Sequence, residues 1–147
     1  MIRERKLSVN YLRIALAGLG ATVVYFVLGF VLFALSPLAN EYRQFPAVYR
    51  TPEAMKGVAP VGLVGMLLSM VALATLYALA YRNGSPITEG VRFGFLVGVF
   101  AFGSFVLHNY VNLNIGLRLT LGQAVAYFIQ WIVAGITIAL IYRPAPR

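Results

Sequence analysis

The chain has 147 residues, of which 61% are apolar and only 11% charged, with a mean hydropathy of +0.82; a soluble domain is roughly half apolar and about a quarter charged, so the composition excludes a water-facing globule and predicts one lipid-facing domain. The absence of cysteine removes disulfides, CxxC redox chemistry and thiolate metal sites. A net charge of +8 suits nucleic acid in a soluble protein, yet the basic residues stand at the ends of apolar runs, where they meet anionic head groups, and no basic run is interleaved with stacking aromatics, so nucleic acid is excluded as a partner.

The first element is a basic start, Met1-Ile2-Arg3-Glu4-Arg5-Lys6, followed by an apolar run. That run is too long for a signal peptide and three more follow it, so an uncleaved first helix is expected. No Asp, Glu, Lys or Arg lies between Arg13 and Glu41, Lys56 and Arg82, Arg92 and Arg118, or Arg118 and Arg143. A helix needs roughly 20 residues to cross about 30 Å of hydrocarbon, and a backbone in lipid must satisfy its own hydrogen bonds. Barrel strands would be shorter and alternate in polarity. The sequence therefore predicts an all-α integral membrane four-helix bundle with spans at 12–35, 58–80, 86–109 and 119–141.

Each span carries a predicted inner face. Gly18, Tyr25, Gly29 and Ser36 mark the first. In the outer loop 36–57, Tyr42, Phe45 and Tyr49 recur at helix-like spacing and predict an interfacial segment with its aromatic side among head groups. Thr51-Pro52-Glu53 is a helix start, and Pro60 a kink or fresh start. Val58, Gly62, Gly65, Ser69 and Ala72 then form a small-residue face, which in lipid lets helices approach closely. Asn83-Gly84 is a turn, and Ser85-Pro86 begins the third helix. At about 100° per residue, Gly90, Gly94, Gly98, Ala101, Phe105, His108 and Asn112 fall near one line, predicting the bundle-facing side. Glu89 and Arg92 lie opposite, three apart, spaced to pair. On the fourth helix Gln123, Gln130 and Thr137 share a face with Tyr127 and Ala134. A buried amide at Gln130 requires a partner inside the bundle. Together these faces predict one compact left-handed bundle.

Arg3, Arg5, Lys6, Arg13, Arg82, Arg92, Arg143 and Arg147 fall on one side of such a topology, against Arg43, Arg50, Lys56 and Arg118 on the other. The excess predicts cytoplasmic N- and C-termini. The two halves are loosely alike: each opens with a basic residue and a glycine-rich helix and ends in Tyr-Arg. Either a parallel two-helix repeat or a generic pair of hairpins accounts for this.

Candidate chemistry is sparse. His108 is the only histidine; it reads as a hydrogen-bonded residue packed on Asn109 or Asn112, or as a single axial ligand to haem. One histidine without cysteine does not make a protein-only metal site, so no metal is expected. The polar run His108–Asn114 either lines an outward pocket or caps the helix and builds the turn to Leu119. Tyr25, His108, Asn112, Tyr127 and Gln130 are the candidate ligand-binding residues for a small apolar molecule or lipid, with interhelical polar glue as the competing reading. No acidic residue lies deep within a span, Glu89 standing in the first turn of the third, which argues against proton-coupled cation export. No Ser-His or paired-carboxylate constellation argues for a hydrolase, and no catalytic residue or cofactor is expected.

The pattern Glu89-Gly90…Gly94…Gly98…Asn109-Tyr110, followed by an apolar helix with Gly135 near its middle, resembles a family of small four-helix bacterial membrane proteins of unknown function. Gly29 and Ser36-Pro37-Leu38 fit that pattern less closely, since Phe33-Ala34 stands where the family has a tryptophan-tyrosine pair. The resemblance covers about half of the chain. It implies a four-span fold in a bacterial inner membrane and no activity. The sequence thus predicts a non-enzymatic subunit that packs against itself or a larger membrane complex; the alternatives are a binding or transport bundle for a small apolar molecule or lipid, and a single-histidine haem protein.

Overall fold

A computed structural model describes residues 9–82 and 84–143. The predicted turn residue Asn83, the basic residues Arg3, Arg5 and Lys6, and Arg147 lie outside the described residues. Every regular element among the described residues is helical. α1 is Tyr11–Gly29 and continues as a π-helical turn, Phe30–Ala34; α2 is Leu38–Arg43; α3 is Pro52–Ala80. α4 is Pro86–Ala101, followed by a second π-helical turn, Phe102–Leu107, and by α5, His108–Asn112; α6 is Leu117–Ile141. Four helices, Tyr11–Ala34, Pro52–Ala80, Pro86–Asn112 and Leu117–Ile141, are long and apolar enough to cross a membrane.

The helix starts follow from local chemistry. Asn10 caps α1 by accepting from the Arg13 N–H at 3.0 Å, and Thr51 caps α3 by accepting from the Ala54 N–H at 3.3 Å. The second span begins six residues earlier than predicted, because Pro52 occupies the first helical turn, where a missing N–H costs nothing. Pro60 does not restart the helix; α3 runs through it.

The packing is an open row, not the compact bundle predicted. α1 lies between α3 and α6, and α6 lies between α1 and α4. α3 and α4 meet chiefly beside their hairpin, where the Tyr77 ring sits 5.3 Å from Phe93. Glycine decides which helices are neighbours. A Cβ on Gly90 would lie 2.5 Å from the Ile136 Cα, and one on Gly135 would lie 2.5 Å from the Gly90 carbonyl oxygen. α4 and α6 therefore touch backbone to backbone, through glycines contributed by both. α1 and α3 come closest at Gly18, where a Cβ would meet the Val71 Cα at 2.9 Å. Around that contact Ile14, Ala17, Ala21, Met70, Ala74 and Tyr77 form the core with Ile138 and Tyr142 of the last helix.

From this contact α3 leaves the row. Every residue from 51 to 65 is exposed, whichever way it points. The predicted small-residue face is thereby corrected: Gly62, Gly65 and Ser69 are exposed, and no other group lies within 4 Å of a Cβ placed on Gly62 or Gly65. The face that α3 turns inward is Met70, Ala74, Tyr77 and Ala78. The reason is the position of the crossing. Close approach at Gly18 and Val71 fixes the deepest contact toward the chain-terminal end, and α3 parts from α1 away from it.

The third span needs a second correction. Gly90, Gly94 and Gly98 are buried as predicted, but Phe105, His108 and Asn112 are exposed. The π-turn at Phe102–Leu107 inserts one residue into the helical period, so the inward line moves by one, to Val106, Asn109 and Leu113. Val106 is fully buried and the other two half-buried. Both halves of the chain carry such a π-turn near the end of their first helix, a likeness that adds to their shared hairpin plan.

Candidate functional site

The inward stripe of α6 falls where the sequence places it, and at the loop-bearing end of the row it collects polar groups. Gln123 and Gln130 are 2% and 1% exposed. The Gln130 side-chain amide donates to the Tyr25 carbonyl of α1 at 2.9 Å, which is the intrabundle partner its burial requires. A helical carbonyl has a second lone pair to give. Gly29 makes room for this contact, since a Cβ there would meet the Gln130 amide nitrogen at 2.7 Å.

Two turns along, the Gln123 amide nitrogen lies 2.8 Å from the Tyr42 hydroxyl and 3.2 Å from that of Tyr49, and donates to both oxygens. Tyr42 and Tyr49 of the loop after α1 thus fold onto the end of the helices. Tyr42 and Tyr49 stack edge to face at 4.7 Å, and Phe33 joins Tyr42 to Tyr127. Glu41 accepts from Arg118 at 3.1 Å; with the guanidinium 86% exposed this pair contributes about 0–1 kcal/mol, so the tyrosines and Gln123 hold the loop down. Burial, and the neighbouring Tyr127 after it, push the Tyr42 hydroxyl above the ordinary phenol range. It stays neutral and acts as a hydrogen-bonding group, not as a base.

Of the predicted site residues, Tyr25, Tyr127 and Gln130 come together. The Tyr127 ring lies 5.1 Å from Phe33 and 5.5 Å from Phe105, and the Tyr25 ring 4.9 Å from Trp131. His108 and Asn112 do not join them. The Asn112 amide donates back to the His108 carbonyl at 2.7 Å and the Leu113 N–H to the Asn109 carbonyl at 2.8 Å, so this run ends the helix. Sequence reasoning missed Tyr42 and Tyr49 as partners of Gln123. The available signal was a heptad of buried amides facing a loop rich in hydroxyl-bearing rings.

Three buried polar atoms in this region have no partner among the described residues: Gln123 Oε1, Gln130 Oε1 and Trp131 Nε1. Two are acceptors and one a donor, all neutral, so the cluster offers hydrogen bonds without acid–base capacity near neutral pH. Among the described residues no group of three or more His, Cys, Asp or Glu side chains is gathered as a metal site would need. No family model, curated protein or solved structure is similar enough to this chain to count as a match.

Proposed function

We propose that this chain is a non-enzymatic subunit of a membrane assembly, inserted four times through a bacterial inner membrane with both termini cytoplasmic, and that it associates with a second copy of itself along the free part of α3. The observation that carries the reading is the exposure of every residue from 51 to 65 on a helix built to lie in lipid. Met55, Val58, Gly62, Gly65, Ser69 and Ala72 share one face over about 25 Å at 1.5 Å per residue, close to the hydrocarbon thickness. Small residues on such a face allow backbones to approach and gain dispersion contacts that lipid does not supply. The occupant is a second copy because the matching surface must be uncharged, small and equally long. Within the chain the other glycine faces, at Gly18 and at Gly90, Gly94 and Gly135, are already filled. The same helix of a neighbour meets the requirement by two-fold symmetry. The bias of Lys and Arg and the resemblance to small four-helix membrane proteins supply the membrane and its sidedness.

In mild detergent the protein is expected to run as a dimer by light scattering. Gly62→Leu with Gly65→Leu should weaken the dimer at least tenfold, from overpacking of about 1–3 kcal/mol per site; in protein diluted until both forms are monomeric the unfolding midpoint should not fall, since both positions are open within one chain. A wild-type protein that stays monomeric at all concentrations overturns the reading.

A second reading, a bundle that binds a small apolar molecule bearing one polar group, draws on the unpartnered Gln130 Oε1. The two readings differ at Gln130→Leu. An interhelical hydrogen bond is worth about 0.6 kcal/mol on average, whereas a buried acceptor without a partner costs about 1–3 kcal/mol. With Oε1 truly unpaired, Gln130→Leu should raise stability by about 1 kcal/mol, read as a higher melting temperature. A fall of several degrees, with loss of a co-purifying small molecule in mass spectrometry, favours the binding reading.

A further inference from the structure

At the other end of the row, away from the tyrosine cluster, a cleft of about 180 Å³ opens between the end of α3 and the start of α4. We infer that this cleft is a binding site for an anionic phospholipid, with Arg82 and Arg92 on the phosphate and the acyl chains on the apolar wall below.

Arg82 and Arg92 both line the cleft, and neither forms an ion pair among the described residues. Glu89, the carboxylate of the lining, is engaged elsewhere. It does not form the pair with Arg92 that their spacing predicts; it accepts from the Tyr77 hydroxyl at 3.0 Å and from the Gly84 N–H at 2.6 Å. Glu89 thereby closes the α3–α4 hairpin, fixes one wall of the cleft and leaves both guanidinium groups without a counter-ion among the described residues. The lining carries two positive charges against one negative.

Below this rim the wall is Ala80, Phe93 and Leu96. A free, fully hydrated anion gains nothing from such a floor, and a neutral apolar molecule gains nothing from the guanidinium pair. A molecule with a phosphate at one end and hydrocarbon at the other matches both. Its level matches as well, because the cleft sits where two membrane-length apolar helices end, at Ala80, and begin, at Pro86. Leu96 is 59% exposed, so the apolar wall runs out of the cleft onto the lipid-facing surface instead of closing over a small ligand. Basic pockets between spans are the common recognition geometry for such head groups.

The test uses the whole protein, purified in mild detergent and exchanged with phosphatidylglycerol, phosphatidylcholine or inorganic phosphate. Native mass spectrometry reads retained lipid and a thermal melt reads stabilisation. Phosphatidylglycerol should be retained and should raise the melting temperature, and the other two should not. Arg82→Gln with Arg92→Gln should weaken retention roughly thirty-fold, at about a factor of five for each basic residue at an anionic surface. Arg143→Gln, at the same end but outside the cleft, should leave it unchanged. Unaltered elution volume of the double variant shows that the fold survives. Equal retention of phosphatidylcholine, an equal shift with inorganic phosphate, or an equal loss in Arg143→Gln overturns the assignment; the last result reduces it to diffuse surface attraction.

Discussion

Gly94→Val is expected to destabilise the protein by about 3 kcal/mol or more and to abolish recovery of a single folded species in detergent. Overpacking a core usually costs about 1–3 kcal/mol, because a neighbouring side chain turns aside. At Gly94 the neighbours are backbone. A Cβ there would overlap the Trp131 carbonyl oxygen and lie 2.6 Å from the Ile132 Cα, and neither can move without α6. Separating α4 from α6 also opens the contacts of Gly90 and Gly98 on the same face. The facing residue, Gly135, would carry a Cβ 2.7 Å from the Gly94 Cα, so Gly135→Ala combined with Gly94→Ala should cost less than the sum of the two singles: once the helices are apart, the second methyl group has room. Gly103→Ala is the control. Nothing lies within 4 Å of a Cβ there, and alanine in a helix is favoured over glycine by up to about 1 kcal/mol. Thermal melts followed by size-exclusion recovery separate these outcomes. A Gly94→Val protein that melts like wild type would mean that α4 and α6 do not pack as closely as described.

The glycines of the third span were legible in the sequence because their spacing repeats on an uninterrupted helix, and their use depends only on facing another helix. Gln123 and Gln130 were legible for the same reason: α6 is continuous, so positions seven apart share a face. The small residues of α3 show the same periodicity, yet they face outward. Periodicity says which residues share a face, not which face meets a neighbour, and that choice was made by one backbone contact on a different helix, at Gly18. The docking of Tyr42 and Tyr49 on Gln123 joins positions 81 and 74 residues apart, a separation at which no local pattern operates. His108 and Asn112 were misplaced because the extrapolation assumed a constant period across Phe102–Leu107, and nothing in Phe-Gly-Ser-Phe-Val-Leu marks an extra residue.

That extra residue can be tested by removing it. Deleting Gly103 is expected to leave the protein folded, with a melting temperature within a few degrees of wild type, whereas deleting Leu96 should cost about 3 kcal/mol or more. Both changes shorten the same span by one exposed residue, and neither takes away a buried side chain. They differ in register. Without Gly103 the π-turn closes into an ordinary helical turn; Val106 then lies seven positions after Gly98, on the same helical face, and Asn109 and Leu113 follow it inward. His108 and Asn112 stay outside. Without Leu96 the period is broken where it was regular. Gly98 turns by about 100° relative to Gly90 and Gly94, and a side chain enters the slot where Gly98 now meets Phe128. If the Gly103 deletion unfolds the protein, the π-turn is not a simple insertion and its bent carbonyls are needed for packing. If that protein folds but lacks a dimer or retained lipid that the wild type shows, the π-turn serves the partner instead of the fold, the role such turns commonly have.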